Sequence, residues 1–442
     1  MTNTTDSREI ALDCLLEICE KEQYSHIVLR QALNKYQFLE KQERALISRI
    51  VEGTLEYRLQ MDYILNLYSK TKTDKMKPLI RNLLRMSVYQ IMYMDRIPDS
   101  AVCNEAVKLA SKRGFQGLKG FVNGVLRSIV RGKADLAWPN DSVKYSIPGW
   151  ILKLWKKQYP EETIQTMLEA FFKAEGTTVR CNLDKADREE ILQSLKNQGV
   201  TVAELQNGGA MIRLSGYDYL ESLEAFAKGW IQVQDISSSF VGDIADPKEG
   251  NYVIDVCGAP GGKSLHIADK LHGTGMVEVR DLTEYKVSMI EENIARTGAE
   301  NMRTRVQDAL ELRAEDVESA DIVIADLPCS GLGIIGKKPD IRYRMTLDQC
   351  KSLAELQRDI LAVVHQYVKP GGLLIYSTCT IDKLENEDNV AWFLENCPFE
   401  AVDISGKLDE AFAADTMKQG YVQLLPGVNP CDGFFIAAFR KK

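Results

Sequence analysis

Five short strand-like runs in the second half of the chain each end in a glycine-rich, acidic or thiol-bearing turn, and this rhythm constrains the fold more than any other feature. Val253-Ile254-Asp255-Val256 runs into Cys257-Gly258-Ala259-Pro260-Gly261-Gly262-Lys263-Ser264. Residues 275–280 end at Asp281, residues 302–306 at Gln307-Asp308, and Ile322-Val323-Ile324-Ala325 at Asp326-Leu327-Pro328-Cys329-Ser330-Gly331. The fifth run, Leu373-Leu374-Ile375-Tyr376, meets Ser377-Thr378-Cys379. Helical stretches separate the runs. Thr283 is an N-cap candidate for a helix that Gly298 stops, and Thr346 with Gln349 has the spacing of a capping box. Such alternation predicts an α/β doubly wound, Rossmann-like sheet over residues 246–442, with a final antiparallel pair from residues 421–425 and 434–439. Ligands bind such sheets outside the carboxyl ends of the strands. A carboxylate, Asp326, and two thiols, Cys329 and Cys379, are therefore expected to share one crevice if their strands are neighbours.

With 442 residues the chain is too long for one core. Apolar residues recur at helix spacing from Ser7 to about Arg131, as in Leu46, Ile47, Ile50, Val51 and Leu55, so residues 1–133 are expected to form an all-helical bundle, either an RNA-binding domain or a packing module. Pro139, Pro148 and Asn140-Asp141 mark residues 134–149 as a linker. Residues 150–245 read as a small α+β subdomain: a strand at 177–182, a helix from Arg188 ended by Gly199, and a strand at 200–202. Residues 230–235 then lead into the last domain. Ile151-Leu152-Lys153-Leu154-Trp155-Lys156-Lys157 is a basic helix whose charged face suits solvent and RNA equally.

The net charge of −8 opposes nucleic-acid binding unless the charge is segregated. It is segregated in sequence: Lys108, Lys112, Arg113, Lys119, Arg127, Arg131 and Lys133 occur with no acid before Asp135, and Lys337, Lys338, Arg342 and Arg344 follow the Asp-Leu-Pro-Cys turn. The latter four read as a solvated loop that could reach RNA phosphates. No apolar run reaches the ~18 residues of a membrane span, and the start Thr2-Asn3-Thr4-Thr5-Asp6 is unlike a signal peptide. A cytoplasmic monomer is expected. Ten cysteines without a Cys-x-x-Cys pair, and only four histidines, indicate neither a disulfide framework nor a metal site.

The turn at 257–264 does not suit a nucleotide. A phosphate-binding P-loop needs glycine where Cys257 stands, and Pro260 removes a backbone donor. The dinucleotide fingerprint fails because the glycines fall at 258, 261 and 262. S-adenosyl-L-methionine, a cation without phosphates, needs close backbone approach and carboxylates instead. Asp281 is placed to accept from ribose hydroxyls and Asp308 from the adenine amino group. Each alone reads better as a cap or a solvated acid, but Asp281, Asp308 and Asp326 at successive strand ends favour a ligand.

Methyl transfer to an exocyclic amine usually pairs Asp or Asn with Pro-Pro-aromatic; Leu327-Pro328-Cys329 puts a thiol there instead. A thiolate adding to carbon 6 of a pyrimidine makes carbon 5 nucleophilic, which is covalent catalysis by cysteine. Lys263 and the cationic cofactor are candidate sources of thiolate stabilisation, and Asp326 can hold the ring nitrogen and amino edge of cytosine. Either thiol can attack on this reading.

Two resemblances narrow it. Ile97-Pro98, Asn104-Glu105-Ala106-Val107 and Phe121-Val122-Asn123-Gly124-Val125-Leu126-Arg127 resemble the RNA-binding NusB domain. The segments 257–264 and 326–331, together with Ser377-Thr378-Cys379-Thr380 and Glu385-Asn386-Glu387, resemble the RNA cytosine-5 methyltransferases, and with the front domain, the branch acting on bacterial 16S ribosomal RNA. That resemblance implies Cys379 as nucleophile and Cys329 in product release. It implies cofactor contacts from Cys257, Gly258, Ala259, Pro260, Gly261, Gly262, Lys263, Asp281, Asp308 and Asp326, with Lys263 near the reaction centre. Gly258 stands where that family commonly has Ala, and Ser264 where it often has Thr. The alternatives are a transfer-RNA cytosine-5 methyltransferase and a non-catalytic RNA-binding assembly or antitermination factor.

Overall fold

The computed structural model describes residues 6–173, 176–205 and 209–442; the polar start Thr2-Asn3-Thr4-Thr5 lies outside them. The chain divides into two compact units. One reaches Tyr159 and also takes in Ile335–Met345, and the other consists of Pro160–Ile334 and Thr346–Lys442.

The first unit is helical, as its 3.6-residue periodicity requires. Its main helices are Ser7–Glu20, Ser25–Lys35, Lys41–Glu56, Arg58–Tyr68, Pro78–Tyr93, Asp99–Lys112 and Lys119–Gly132. Pro78 opens the most buried of them, where a missing N–H costs nothing. Its Leu83, Leu84 and Val88 pack with Leu12, Ile47, Val51 and Val122 in one core. The basic run is less segregated in space than in sequence. Lys112 pairs with Glu9 and Arg113 with Asp13, while Lys108 pairs with Glu105 and Lys133 with Asp99. Four of its seven cations are thus paired with acids, three of them with acids more than thirty residues away.

Residues 134–149, expected as a linker, are structured. Asn140 caps a short helix, Asp141–Lys144, and Ser146 and Ile147 are buried. The Leu59 N–H donates to Ser146 Oγ at 2.9 Å, and Gln60 Nε2 to the Lys144 carbonyl at 2.6 Å. The basic helix follows as Gly149–Gln158, burying Ile151 and Trp155 while Lys153, Lys156 and Lys157 line an open cleft.

The loop carrying Lys337, Lys338, Arg342 and Arg344 departs most from expectation. Arg342 is fully buried within the helical unit and donates to the carbonyls of Ile335 at 2.9 Å and Ser146 at 3.3 Å. Asp340 accepts from the Ser25 N–H at 3.1 Å, and the Arg344 guanidinium lies 3.8 Å from the centre of the Tyr24 ring. Arg342 and Arg344 are therefore packing elements rather than a solvated loop, because the helical unit supplies the carbonyls and the ring they need.

The second unit opens with a four-stranded antiparallel sheet, order β2-β3-β1-β4, where β1 is Thr177–Cys181, β2 Thr201–Glu204, β3 Met211–Ser215 and β4 Ile231–Val233. Residues 230–235 thus close this sheet, with Val179 opposite Val233, instead of merely leading onward. Asp235 then caps the helix Ile236–Ala245.

The larger sheet contains β5 (Tyr252–Asp255), β6 (Met276–Asp281), β7 (Met302–Val306), β8 (Ala320–Asp326), β9 (Val368–Thr378), β10 (Phe399–Ala401), β11 (Tyr421–Leu424) and β12 (Phe434–Lys441). Its order is β10-β12-β9-β8-β5-β6-β7, with β11 paired to β12. The strands from β7 to β9 run parallel, and β12 joins β9 antiparallel. The apolar runs form the central strands because both faces are covered, as parallel sheets require. One exception is ionic: Arg280, 1% exposed, pairs with Glu278 and Asp316 and lies 5.0 Å from the Tyr367 ring centre. The strand order reverses between β5 and β8, so the turns after these two strands flank the switch point where such sheets hold ligands. Among the described residues no helix is long and apolar enough to cross a membrane.

Candidate active site

The turn after β5 is shaped by two glycines. Gly261 has φ +104°, a conformation that favours residues without a Cβ, and its N–H donates to the Gly258 carbonyl at 2.6 Å. The helix Gly262–Lys270 starts directly after it. A Cβ on Gly258 would sit 2.3 Å from Val279 Cγ1 and 3.0 Å from the Asp255 carboxyl. Alanine, common at this position in the resembled family, therefore does not fit here without a shift of Val279. Gly258→Ala is expected to cost about 1–3 kcal/mol, read as a lower unfolding temperature, and to be partly offset when Val279 is also cut to alanine.

Asp281, at the end of β6, is buried and accepts from the Ala259 N–H at 3.1 Å and the Leu282 N–H at 2.8 Å, with Lys286 Nζ at 3.0 Å. It ties the glycine turn to the next strand. Asp308 is half-exposed and accepts from the Leu310 N–H at 2.9 Å. Burial pushes the Cys257 thiol up, and the Asp255, Asp281 and Asp326 carboxylates add to the shift. Cys257 is therefore protonated and unsuited to nucleophilic work.

Across the switch point, Lys263 Nζ donates to Asp326 Oδ2 at 2.7 Å, and Ser377 Oγ donates to Asp326 Oδ1 at 2.8 Å. Burial alone would lower the Lys263 ammonium, but Asp326 and Asp255 outweigh it and raise it, with a smaller contribution from Cys379. The β8 and β9 strands lie side by side, with Asp326 opposite Ser377. That register brings the two thiols together: Cys329 Sγ and Cys379 Sγ are 3.3 Å apart. Both are half-buried. The hydrogen bond to Cys379, then burial, holds the Cys329 thiol well above its ordinary range. Lys263, Asp326, Cys329 and Cys379 thus form one cluster, while Asp281 organises the glycine turn beside it.

Sequence reasoning left several residues without a role. Gly333 donates its N–H to the Cys379 carbonyl at 3.1 Å and its carbonyl accepts from the Gly433 N–H at 3.0 Å, a backbone approach that only glycines permit. Beneath the thiols, Glu385, Asn386 and Gln357 are completely buried. Glu385 lies in a trio with Cys350 and Asp382 whose possible ligand atoms are within 4.8 Å of one another. Its oxygens already accept from Ser330 and Gln357, so it serves hydrogen bonding rather than an open ligand set.

A glycine turn at the switch point of a Rossmann-like sheet, with acids at the neighbouring strand ends, is the build of a methyltransferase. Residues 243–440 match the family described as 16S rRNA methyltransferase RsmB/F, residues 5–131 the NusB family, and residues 147–217 the ferredoxin-like domain of RsmF/B-like methyltransferases. A Bacillus subtilis protein named probable ribosomal RNA small subunit methyltransferase B is 36% identical over 99% of both chains. Its namesake from Synechocystis is 30% identical over 98% of this chain and 99% of its own. The chain belongs to this family of RsmB-type methyltransferases. Among solved structures, PH0851 superposes with a TM-score of 0.85 over 100% of both chains at 25% identity. A methyltransferase homologue from Pyrococcus horikoshii gives 0.58 at 26% identity, covering 68% of this chain and 98% of its own.

Proposed function

We propose that the protein transfers a methyl group from S-adenosyl-L-methionine to carbon 5 of a cytosine in small-subunit ribosomal RNA, in the cytoplasm. The thiol pair beside the Lys263–Asp326 ion pair carries this reading. The cofactor fits the turn chemically. Asp281 accepts three donors and retains lone-pair capacity for a ribose hydroxyl. Leu282, 57% exposed, follows Asp281, and Leu310, 43% exposed, lies two residues past Asp308; bare leucines beside acids suit the faces and amino edge of adenine. Residues 257–263 supply the close backbone approach. When bound, the cofactor supplies an electrophilic methyl group.

The protein's residues do the rest. Cys379 adds as thiolate to carbon 6 of cytosine, and Lys263 provides positive charge next to it. Asp326, fixed by Lys263 and Ser377, accepts from the amino edge of the base and orients the ring. Cys329 stands one hydrogen bond from Cys379 and assists the last step, in which a base takes the carbon 5 proton, the carbon 5–carbon 6 double bond re-forms and Cys379 leaves carbon 6 as thiolate. Because the base must leave its stack to reach these groups, an extruded or unpaired cytosine is the substrate. The similarity to proteins named for small-subunit ribosomal RNA favours that RNA over transfer RNA. Bisulfite mapping of both RNAs from cells with and without the protein tests this: loss of one 16S site is expected, and a site lost only from transfer RNA would overturn the substrate assignment.

A further inference from the structure

Glu385 and Asn386 are adjacent, buried and polar, and each holds the residues on either side of one thiol. The Glu385 carboxylate accepts from the Ser330 N–H at 2.9 Å and from Ser330 Oγ. Its third donor, Gln357 Nε2 at 3.0 Å, also donates to the Pro328 carbonyl at 2.8 Å. Ser330 and Pro328 flank Cys329. Asn386 does the same for the other thiol: its Oδ1 accepts from Thr378 Oγ1 at 2.6 Å, and its Nδ2 donates to the Thr380 carbonyl at 3.1 Å. Thr378 and Thr380 flank Cys379. The two grips meet where Ser330 Oγ and Thr380 Oγ1 lie 2.8 Å apart.

We infer that Glu385 and Asn386 are positioning residues, one for each thiol, and that together they set the 3.3 Å sulfur–sulfur separation. The inference rests on the thiol roles proposed above. Burying a carboxylate and an amide under a strand end is costly unless every polar atom is paired. Here the pairing runs through the residues that border the reacting sulfurs, and burial pushes the Glu385 carboxyl up to about 7. Glutamine can replace Glu385 without losing a bond, because its amide oxygen can accept from the Ser330 N–H and from Gln357 while its amino group donates to Ser330 Oγ. Alanine cannot.

Two measurements on the full-length protein test the inference. In the first, diamide oxidises the free enzyme: one thiolate adds to the azo nitrogen, the second displaces it, and the products are the Cys329–Cys379 disulfide and the reduced hydrazine, located by mass spectrometry. Glu385→Ala and Asn386→Ala are expected to slow this closure at least about tenfold, and Glu385→Gln to leave it unchanged. In the second, methyl-transfer kcat is expected to fall about 100-fold in both alanine variants, with KM for RNA and cofactor unaltered, and to be retained in Glu385→Gln. Should an alanine variant fail to fold, Ser330→Ala and Thr378→Val remove bonds of the same grips from the thiol side and are expected to slow closure likewise. Unchanged closure in the folded variants would overturn the inference, and so would a Glu385→Gln variant as impaired as alanine, since that loss would mark a titrating group. Disulfide closure requires no turnover, so it tests the grip even if Cys379 proves not to be the nucleophile.

Discussion

Cys379→Ala is expected to lower methyl transfer by at least about 10³-fold with cofactor binding intact, because it removes the sulfur proposed to bond carbon 6. Cys329→Ala is expected to differ in kind: the adduct still forms but leaves slowly, so RNA-linked protein accumulates and resists denaturing electrophoresis. The contrast follows from the different roles proposed for the two thiols, whose sulfurs lie 3.3 Å apart. Labelled-cofactor turnover and a gel-shift assay on unmethylated small-subunit RNA measure both variants. Undiminished turnover in Cys379→Ala, or a covalent species in that variant and none in Cys329→Ala, would reverse or remove the assignment.

The largest stability effect is expected from Arg280→Ala, about 3–5 kcal/mol, the cost of breaking a buried ion pair from one side. The loss leaves Glu278 and Asp316 without their shared guanidinium and strips the Tyr367 face. Denaturant unfolding of the intact protein measures it. The same cluster fixes an acid limb. Burial alone would push the Glu278 carboxyl up, but the hydrogen bond from Arg305 and the nearby Arg280 hold it down at about 2, against an ordinary 4.5. A depressed carboxyl contributes stability that is complete above its unfolded value and is lost as pH falls through its folded one. The contribution of Glu278 should therefore disappear between about pH 4.5 and 2, and Glu278→Gln should flatten that part of the stability profile.

The elements legible in the sequence were those whose causes are local. The capping box at Thr346 and Gln349, the Thr283 cap and the left-handed Gly298 stop all form as their spacing predicts, and β7 spans residues 302–306 as read. The strand-end thiols met because β8 and β9 are neighbours, which the sequence left as a condition. What escaped is non-local. The three residues of β4 are too few to show a period, and they become a strand only through β1. Arg342 looked like a solvated cation because its carbonyl partner in Ser146 lies 196 residues earlier in the chain. The Glu385-Asn386 pair was visible as a motif, but its purpose depends on which loops fold over it.

The eleven residues Ile335–Met345 leave the catalytic half of the sequence and belong to the compact unit of the front half, then the chain returns. Dissection by a single cut therefore leaves this strip without its partners: a piece beginning near Pro160 would keep Arg342 and Asp340 but lose the Ser146 carbonyl and the Ser25 N–H that hydrogen-bond them. Such a fragment would display a strip meant for an interior, and insolubility on expression would reveal nothing about the soundness of the methyltransferase fold. The second unit is thus interrupted in sequence by residues of the first, and exchanging the first unit for a foreign counterpart has to include this strip.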